Sequence, residues 1–97
     1  MKPEFEVNGL EFSEVLGKCS WCKALELGKD GWRLPERWEL LMLYEKEPES
    51  RLDIWLWSAS PYDLNNSFAW QVNLHYGNDG YNHKPYRFAV RLVREAL

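Results

Sequence analysis

The order of hydrophobic patterns along this chain predicts an α+β fold, with two short helices packed on twisted antiparallel β-sheets and a β-hairpin at the N-terminus. Three observations carry that expectation. Period-two alternation runs through Phe68-Ala69-Trp70-Gln71-Val72-Asn73-Leu74 and again through Arg87-Phe88-Ala89-Val90-Arg91-Leu92-Val93, the spacing of a pleated strand. Two segments, 20–28 and 35–48, begin and end on residues that start and stop helices. At the start of the chain, Phe5-Glu6-Val7 and Leu10-Glu11-Phe12 flank Asn8-Gly9, the dipeptide that best accepts the positive φ angles of a two-residue type I′ turn.

Each element follows from its residues. Ser20 is placed to cap a helix over Trp21-Cys22-Lys23-Ala24-Leu25-Glu26-Leu27, and Gly28 stands where a left-handed residue would end it. An earlier start at Ser13 would put Gly17 inside the helix at a cost of about 1 kcal/mol relative to Ala, so the later start is preferred. Lys29-Asp30-Gly31 is turn chemistry. Pro35 then suits the first turn of a second helix, where its missing N–H would be unpaired anyway. Trp38, Leu41, Met42 and Tyr44, with Leu40 and Leu43 between them, give that helix a broad apolar face, while Glu36, Arg37, Glu39 and Glu45 supply a solvated one. Pro48 stops it, and the charged stretch 45–51 reads as an exposed connection. From Ile54 three strands are expected, 54–60, 67–74 and 87–93. Gly77-Asn78-Asp79-Gly80 is a turn cluster, with a further short strand around Tyr81 to His83.

Composition bounds the function. Ninety-seven residues make one domain, 1–97. With 45% hydrophobic and 28% charged residues the chain has the balance of an ordinary folded protein. Twelve basic against fifteen acidic side chains give a formal charge of −3, which disfavours a nucleic-acid partner, because that affinity rests on a basic surface. The acids concentrate in residues 1–53, which hold twelve acids and eight bases, against three and four in 54–97. There is no run of eighteen apolar residues and no apolar stretch in Met1-Lys2-Pro3-Glu4-Phe5-Glu6, so no membrane association and a cytoplasmic location are the expectations.

Five blocks are familiar in their succession: Ser20-Trp21-Cys22-Lys23-Ala24-Leu25, Gly31-Trp32-Arg33-Leu34-Pro35 with Glu39-Leu40, Trp57-Ser58-Ala59-Ser60-Pro61, Ala69-Trp70-Gln71-Val72-Asn73, and Val90-Arg91-Leu92-Val93-Arg94. Over residues 20–94 the chain resembles the Lcl C-terminal-like and major-paralogous-domain family. The resemblance implies a C-type-lectin-like fold, related to that of formylglycine-generating and sulfatase-modifying proteins. Members of this broad fold keep such blocks as a frame and vary the stretch between the Trp-Ser block and the final Val-Arg block.

Here that stretch is 61–88, and it holds five of the six asparagines, four tyrosines and both histidines. Tyr offers a large contact area at low entropy cost and Asn offers adaptable hydrogen bonds, the combination that binding loops favour. The expected binding residues are Tyr62, Asn65, Asn66, Asn73, His75, Tyr76, Asn78, Tyr81, Asn82, His83 and Tyr86. The segment also resembles the variable regions of diversity-generating-retroelement target proteins, which share the lectin-like fold. The plainer explanation is turn chemistry, since Asn, Asp and Gly are common in turns for backbone reasons alone.

Chemistry is sparse elsewhere. Cys19-Ser20-Trp21-Cys22 has redox-pair spacing, but without the thioredoxin-type context, and two thiols cannot complete a zinc site. Neither cysteine matches the catalytic cysteines of formylglycine-generating enzymes, so that activity is not carried over. His75 and His83 would face each other across a hairpin, with Asp79 the only nearby acid; no metal and no cofactor are expected. Asp63-x-Asn65 opens like a calcium loop, yet position 74 is Leu, and the Glu-Pro-Asn, Gln-Pro-Asp and Trp-Asn-Asp signatures of calcium-dependent lectins are absent. Arg33, Arg91 and Arg94 are expected in framework ion pairs, and Trp32, Trp57 and Trp70 in the core.

The leading expectation is therefore a non-enzymatic module that binds a protein partner, a small bacterial or phage accessory or inhibitor protein. A calcium-independent glycan or small-ligand receptor, with Trp70, Asn73, Tyr76 and Tyr81 contacting a sugar, is the alternative, and a thiol oxidoreductase using Cys19 and Cys22 is the second. An exposed edge strand would also allow a homodimer.

Overall fold

A computed structural model describes all of residues 1–97. In chain order the elements are β1 (Pro3–Val7), β2 (Leu10–Ser13), β3 (Leu16–Cys19), α1 (Trp21–Glu26), α2 (Arg37–Lys46), a 3-10 turn (Pro48–Ser50), β4 (Trp55–Pro61), β5 (Phe68–Asn73), β6 (Asn78–His83), β7 (Phe88–Val90) and β8 (Val93–Glu95). They form a three-stranded sheet, β1-β2-β8, and a five-stranded one, β3-β7-β4-β5-β6. The α+β class, the two helices and the N-terminal hairpin are as the sequence predicts. Asn8 and Gly9 have φ of 51° and 80°, so the hairpin turns in the way that dipeptide allows.

Several details differ from the expectation, each for a local reason. The five-stranded sheet is mixed: the chain returns from β6 past β5 and β4, so that β7 pairs with β4 in parallel, Leu56 opposite Ala89. β3 and β8 carry no alternation long enough to read and exist because tertiary partners complete them. Ser20 caps α1, its Oγ accepting from the Lys23 N–H at 3.4 Å. Gly28, however, is not left-handed; a Cβ there would lie 2.9 Å from the Trp32 carbonyl oxygen and 3.2 Å from Arg33 Cα, so the glycine serves a close backbone approach. The left-handed residues of this loop are Asp30 and Gly31.

α2 begins at Arg37 rather than Pro35, because the Pro35 carbonyl accepts from the Ala59 N–H of β4 at 2.7 Å and holds this residue outside the helix. Its buried side chains are Glu39, Leu40 and Leu43, while Trp38 is 61% exposed. Glu39, expected on the solvated face, is buried because Arg33 meets it as a fork: Nη1 and Nη2 donate to Oε1 and Oε2, each at 2.7 Å, and the Glu36 N–H donates to Oε1 at 2.8 Å. Burial pushes the Glu39 carboxyl up, but the bonds from Arg33 and Glu36 outweigh it and hold the group below its ordinary value.

Two apolar clusters cover the two faces of the larger sheet. One gathers Val7, Leu10 and Phe12 from the hairpin and Leu40 and Leu43 from α2 against Leu56 and Val72. The other gathers Ala24 of α1, Trp32 and Leu34 against Trp57, Ala69 and Val90. Trp57 is fully buried, stands edge-on to Phe88 with ring centroids 5.2 Å apart, and donates its Nε1–H to the Cys19 carbonyl at 2.9 Å. The expected framework arginines are paired: besides Arg33, Arg91 meets Glu4 and Arg94 meets Glu11, both acids belonging to the hairpin.

The β5–β6 turn is Leu74–Gly77, not 77–80; Asn78, Asp79 and Gly80 already pair with β5. Gly77, at φ 69°, donates its N–H to the Asn73 carbonyl, and a Cβ on it would run into the Tyr44 ring. The absence of a side chain here is what lets α2 lie against the hairpin.

Gly77→Ala is expected to lower stability by about 2–4 kcal/mol in urea unfolding, combining left-handed strain with overpacking. Gly9→Ala, with open space around it, is expected to cost about 1 kcal/mol. Because the Glu39 pKa is depressed on folding, the stability it contributes is present above its ordinary value of 4.5 and is lost as pH falls through the lower folded-state value. Thermal melts between pH 7 and pH 2 check this: Glu39→Gln is expected to be destabilised near neutrality and to show a shallower acid-side decline than the parent.

Candidate binding surface

α2 covers the face of the larger sheet that carries Leu56 and Val72, but the outer ends of β5 and β6 extend beyond it. Strand register places Phe68 opposite His83 and Trp70 opposite Tyr81, so these four side chains share that face. Tyr62, just after β4, lies among them. Its ring stacks on Tyr81 with centroids 4.0 Å apart and planes 19° apart, and meets Trp70 at 5.2 Å and Phe68 at 6.2 Å. Phe68 in turn contacts Tyr81 at 5.5 Å and His83 at 4.2 Å, and His83 lies 5.6 Å from Tyr86. The result is a continuous aromatic surface of six rings, in which Tyr81 and Tyr86 are 48% and 56% exposed.

The start of α2 anchors one border of it. Ser60 Oγ accepts from the Arg37 N–H at 3.0 Å and donates to Glu36 Oε1 at 2.8 Å, tying the helix to β4. Arg37 is thereby set with its guanidinium 3.9 Å over the Trp70 ring, and it pairs with Asp79 at 3.5 Å. The indole thus has a cation over its ring and edge contacts to Tyr62 and Tyr81. The neighbouring Tyr81 hydroxyl, with some burial, pushes the Tyr62 phenol up from its ordinary value.

The eleven predicted site residues divide into groups. Tyr62, Tyr81, His83 and Tyr86 are brought together on this surface. His75 and Tyr76 are exposed, with rings 4.4 Å apart, but they sit in the turn at the opposite end of the hairpin, about 17 Å away by strand rise. His75 and His83 therefore do not face each other. Nor does the structure gather any group of three or more His, Cys, Asp or Glu side chains.

Asn73 is not displayed. It is 2% exposed, and its Oδ1 accepts from the His75 and Tyr76 N–H groups at 2.8 and 3.3 Å while Nδ2 donates to Asp53. Asn65 and Asn82 likewise accept from nearby backbone amides, those of Ser67 and His83. In these three the asparagine is building turns and edges. Asn66 and Asn78 are exposed without such bonds.

Sequence reasoning missed Phe68 and Arg37, took Asp79 only as the acid near the histidines, and gave Trp70 a contact role only in the glycan alternative. Trp70 reads as core from its alternation with Val72 and Leu74, and only the length of the covering helix shows that the far end of β5 is open. The cysteines are both free thiols, Cys22 exposed and Cys19 partly buried. Burial raises the Cys19 thiol above its ordinary value against the opposing effects of Arg87 and Lys23, the reverse of an activated thiolate.

Residues 7–94 match the model of the family described as the Lcl C-terminal domain. None of the curated proteins matches the sequence. Asn73→Ala is expected to cost about 1–3 kcal/mol, since it leaves the turn amides without an acceptor, whereas Tyr81→Ser is expected to cost less than about 1 kcal/mol as an exposed substitution. Chemical denaturation of the two variants compares the roles directly.

Proposed function

The chain belongs to the Lcl C-terminal domain family, and from that premise we propose that it is a non-enzymatic protein-binding module of C-type-lectin-like fold, with the aromatic surface as its docking face. The observation that carries this reading is the six-ring surface of Tyr62, Phe68, Trp70, Tyr81, His83 and Tyr86. Its rings contact one another, and four of them lie on the paired strands β5 and β6, so little side-chain freedom is lost when a partner covers them. Tyr and Trp are also the residue types that dominate binding hot spots.

Shape favours a protein over a small ligand or sugar. The three hollows on the molecule are lined by residues outside this surface, while sites for small molecules are concave. A calcium-independent glycan receptor is the weaker reading for that reason. A small bacterial or phage accessory protein that acts by occupying a larger partner would need little more than this frame and this face.

Affinity capture from the native host's lysate tests the proposal, with the chain compared against a Tyr81→Ser/Tyr86→Ser variant whose circular dichroism matches the parent. A protein recovered by the parent and reduced at least about tenfold with the variant is the expected result. Equal recovery by both would sink it, and a glycan array with saturable hits would move the sugar reading ahead.

A further inference from the structure

Seven of the twelve basic side chains make no ion pair within the molecule, and four of the seven come together around the first turn of α1. Arg87 Nη2 donates to the Lys18 carbonyl at 3.2 Å. The Trp21 N–H donates to the Lys84 carbonyl at 2.9 Å, and Lys84 Nζ lies 4.5 Å over the Trp21 ring. Lys23 is two residues further along the helix, and its charge and that of Arg87 both reach the Cys19 thiol. Lys18, Lys23 and Arg87 are exposed and Lys84 partly so. This clustering runs against the formal charge of −3 for the whole chain.

Beside the cluster is a hollow of about 210 Å³ formed by Lys18, Asp53, Ile54, Trp55, Phe88 and Ala89. Its walls are mostly apolar, Lys18 stands at it, and Asp53, its single acid, is bonded to Asn73 Nδ2 at 3.2 Å. A cation group next to an apolar hollow fits a chain segment that alternates carboxylates with an aliphatic or aromatic side chain.

We infer that Lys18, Lys23, Lys84 and Arg87, with the hollow between Trp55 and Phe88, form a docking site for an acidic peptide segment that carries an apolar anchor. The site uses none of the six rings of the aromatic surface and stands or falls separately from it. A nucleic acid is the less fitting occupant, because strong phosphate binding draws on roughly six to ten contacts along an extended basic track, and here the cluster is compact on an acidic molecule.

Fluorescence anisotropy with a short fluorescein-labelled peptide of alternating Glu and Leu tests this. Saturable binding that weakens as salt rises is expected, together with a loss of at least about tenfold in Lys84→Glu/Arg87→Glu. Lys18→Glu/Lys23→Glu, which alters only exposed side chains, is expected to show a comparable loss, so that a folding defect in one variant does not decide the result. A peptide with Lys in place of Glu is expected not to bind. Unchanged affinity in both variants, equal binding when Ser replaces Leu, or binding of a labelled single-stranded oligonucleotide in preference to the peptide would each overturn the assignment.

Discussion

The two sheets are joined by hydrogen bonds where the chain crosses from β2 to β3 and from β7 back to β8. Ser13, the last residue of β2, is fully buried there, and every polar group it has is paired. Its N–H donates to the Leu92 carbonyl, its Oγ accepts from the Leu92 N–H and donates to the Glu14 carbonyl, and its own carbonyl accepts from Arg91 Nη1, each at 2.8 Å. Arg91 is 1% exposed and reaches on to Glu4 of the hairpin. Burying a guanidinium is costly unless it is paired and hydrogen-bonded, so this joint forms only when the hairpin, β2 and the β7–β8 connection are all in place. It links residues that are nearly eighty positions apart.

Once the joint is made, the distribution of cover on the larger sheet follows. The hairpin and α2 lie over Leu56 and Val72, α1 and Trp32 over Trp57 and Ala69, and Ser60 fixes where α2 starts. The helix is ten residues long and ends its cover at Arg37. What lies past it on β5 and β6 has no covering element, and the residues there are aromatic. The interior of the molecule and its exposed aromatic surface are therefore two stretches of the same strand face, separated by one arginine stacked on one tryptophan.

This continuity explains what could be read from the sequence and what could not. The hairpin, the cap at Ser20 and the alternation of β5 are local signals, and they are legible because backbone geometry and a few neighbouring side chains decide them. Gly28 looked like a helix stop and is a packing requirement set by Trp32 and Arg33, which no pattern within the helix reveals. Glu39 looked solvated because its burial depends on a fork from Arg33. Counting Tyr and Asn over 61–88 blended two roles: Tyr76, Tyr81, His83 and Tyr86 are exposed, while Asn65, Asn73 and Asn82 shape backbone. Phe68 and Trp70 follow the same alternation as Val72, so only the extent of α2 separates uncovered surface from core.

Amide hydrogen exchange followed residue by residue reads the rigid joint and the open hairpin edge at once. The Lys84 N–H bonds inward to the Ser67 carbonyl, so along β6, the edge strand of its sheet, the amides of Asp79 and Tyr81 point away from β5. Ser13 and Leu92 are expected to exchange only through global unfolding, with the slowest rates in the chain, and Asp79 and Tyr81 orders of magnitude faster through solvent contact. Fast exchange at Ser13 and Leu92 through local opening, or protection at Asp79 and Tyr81 equal to that of the joint, would contradict that expectation.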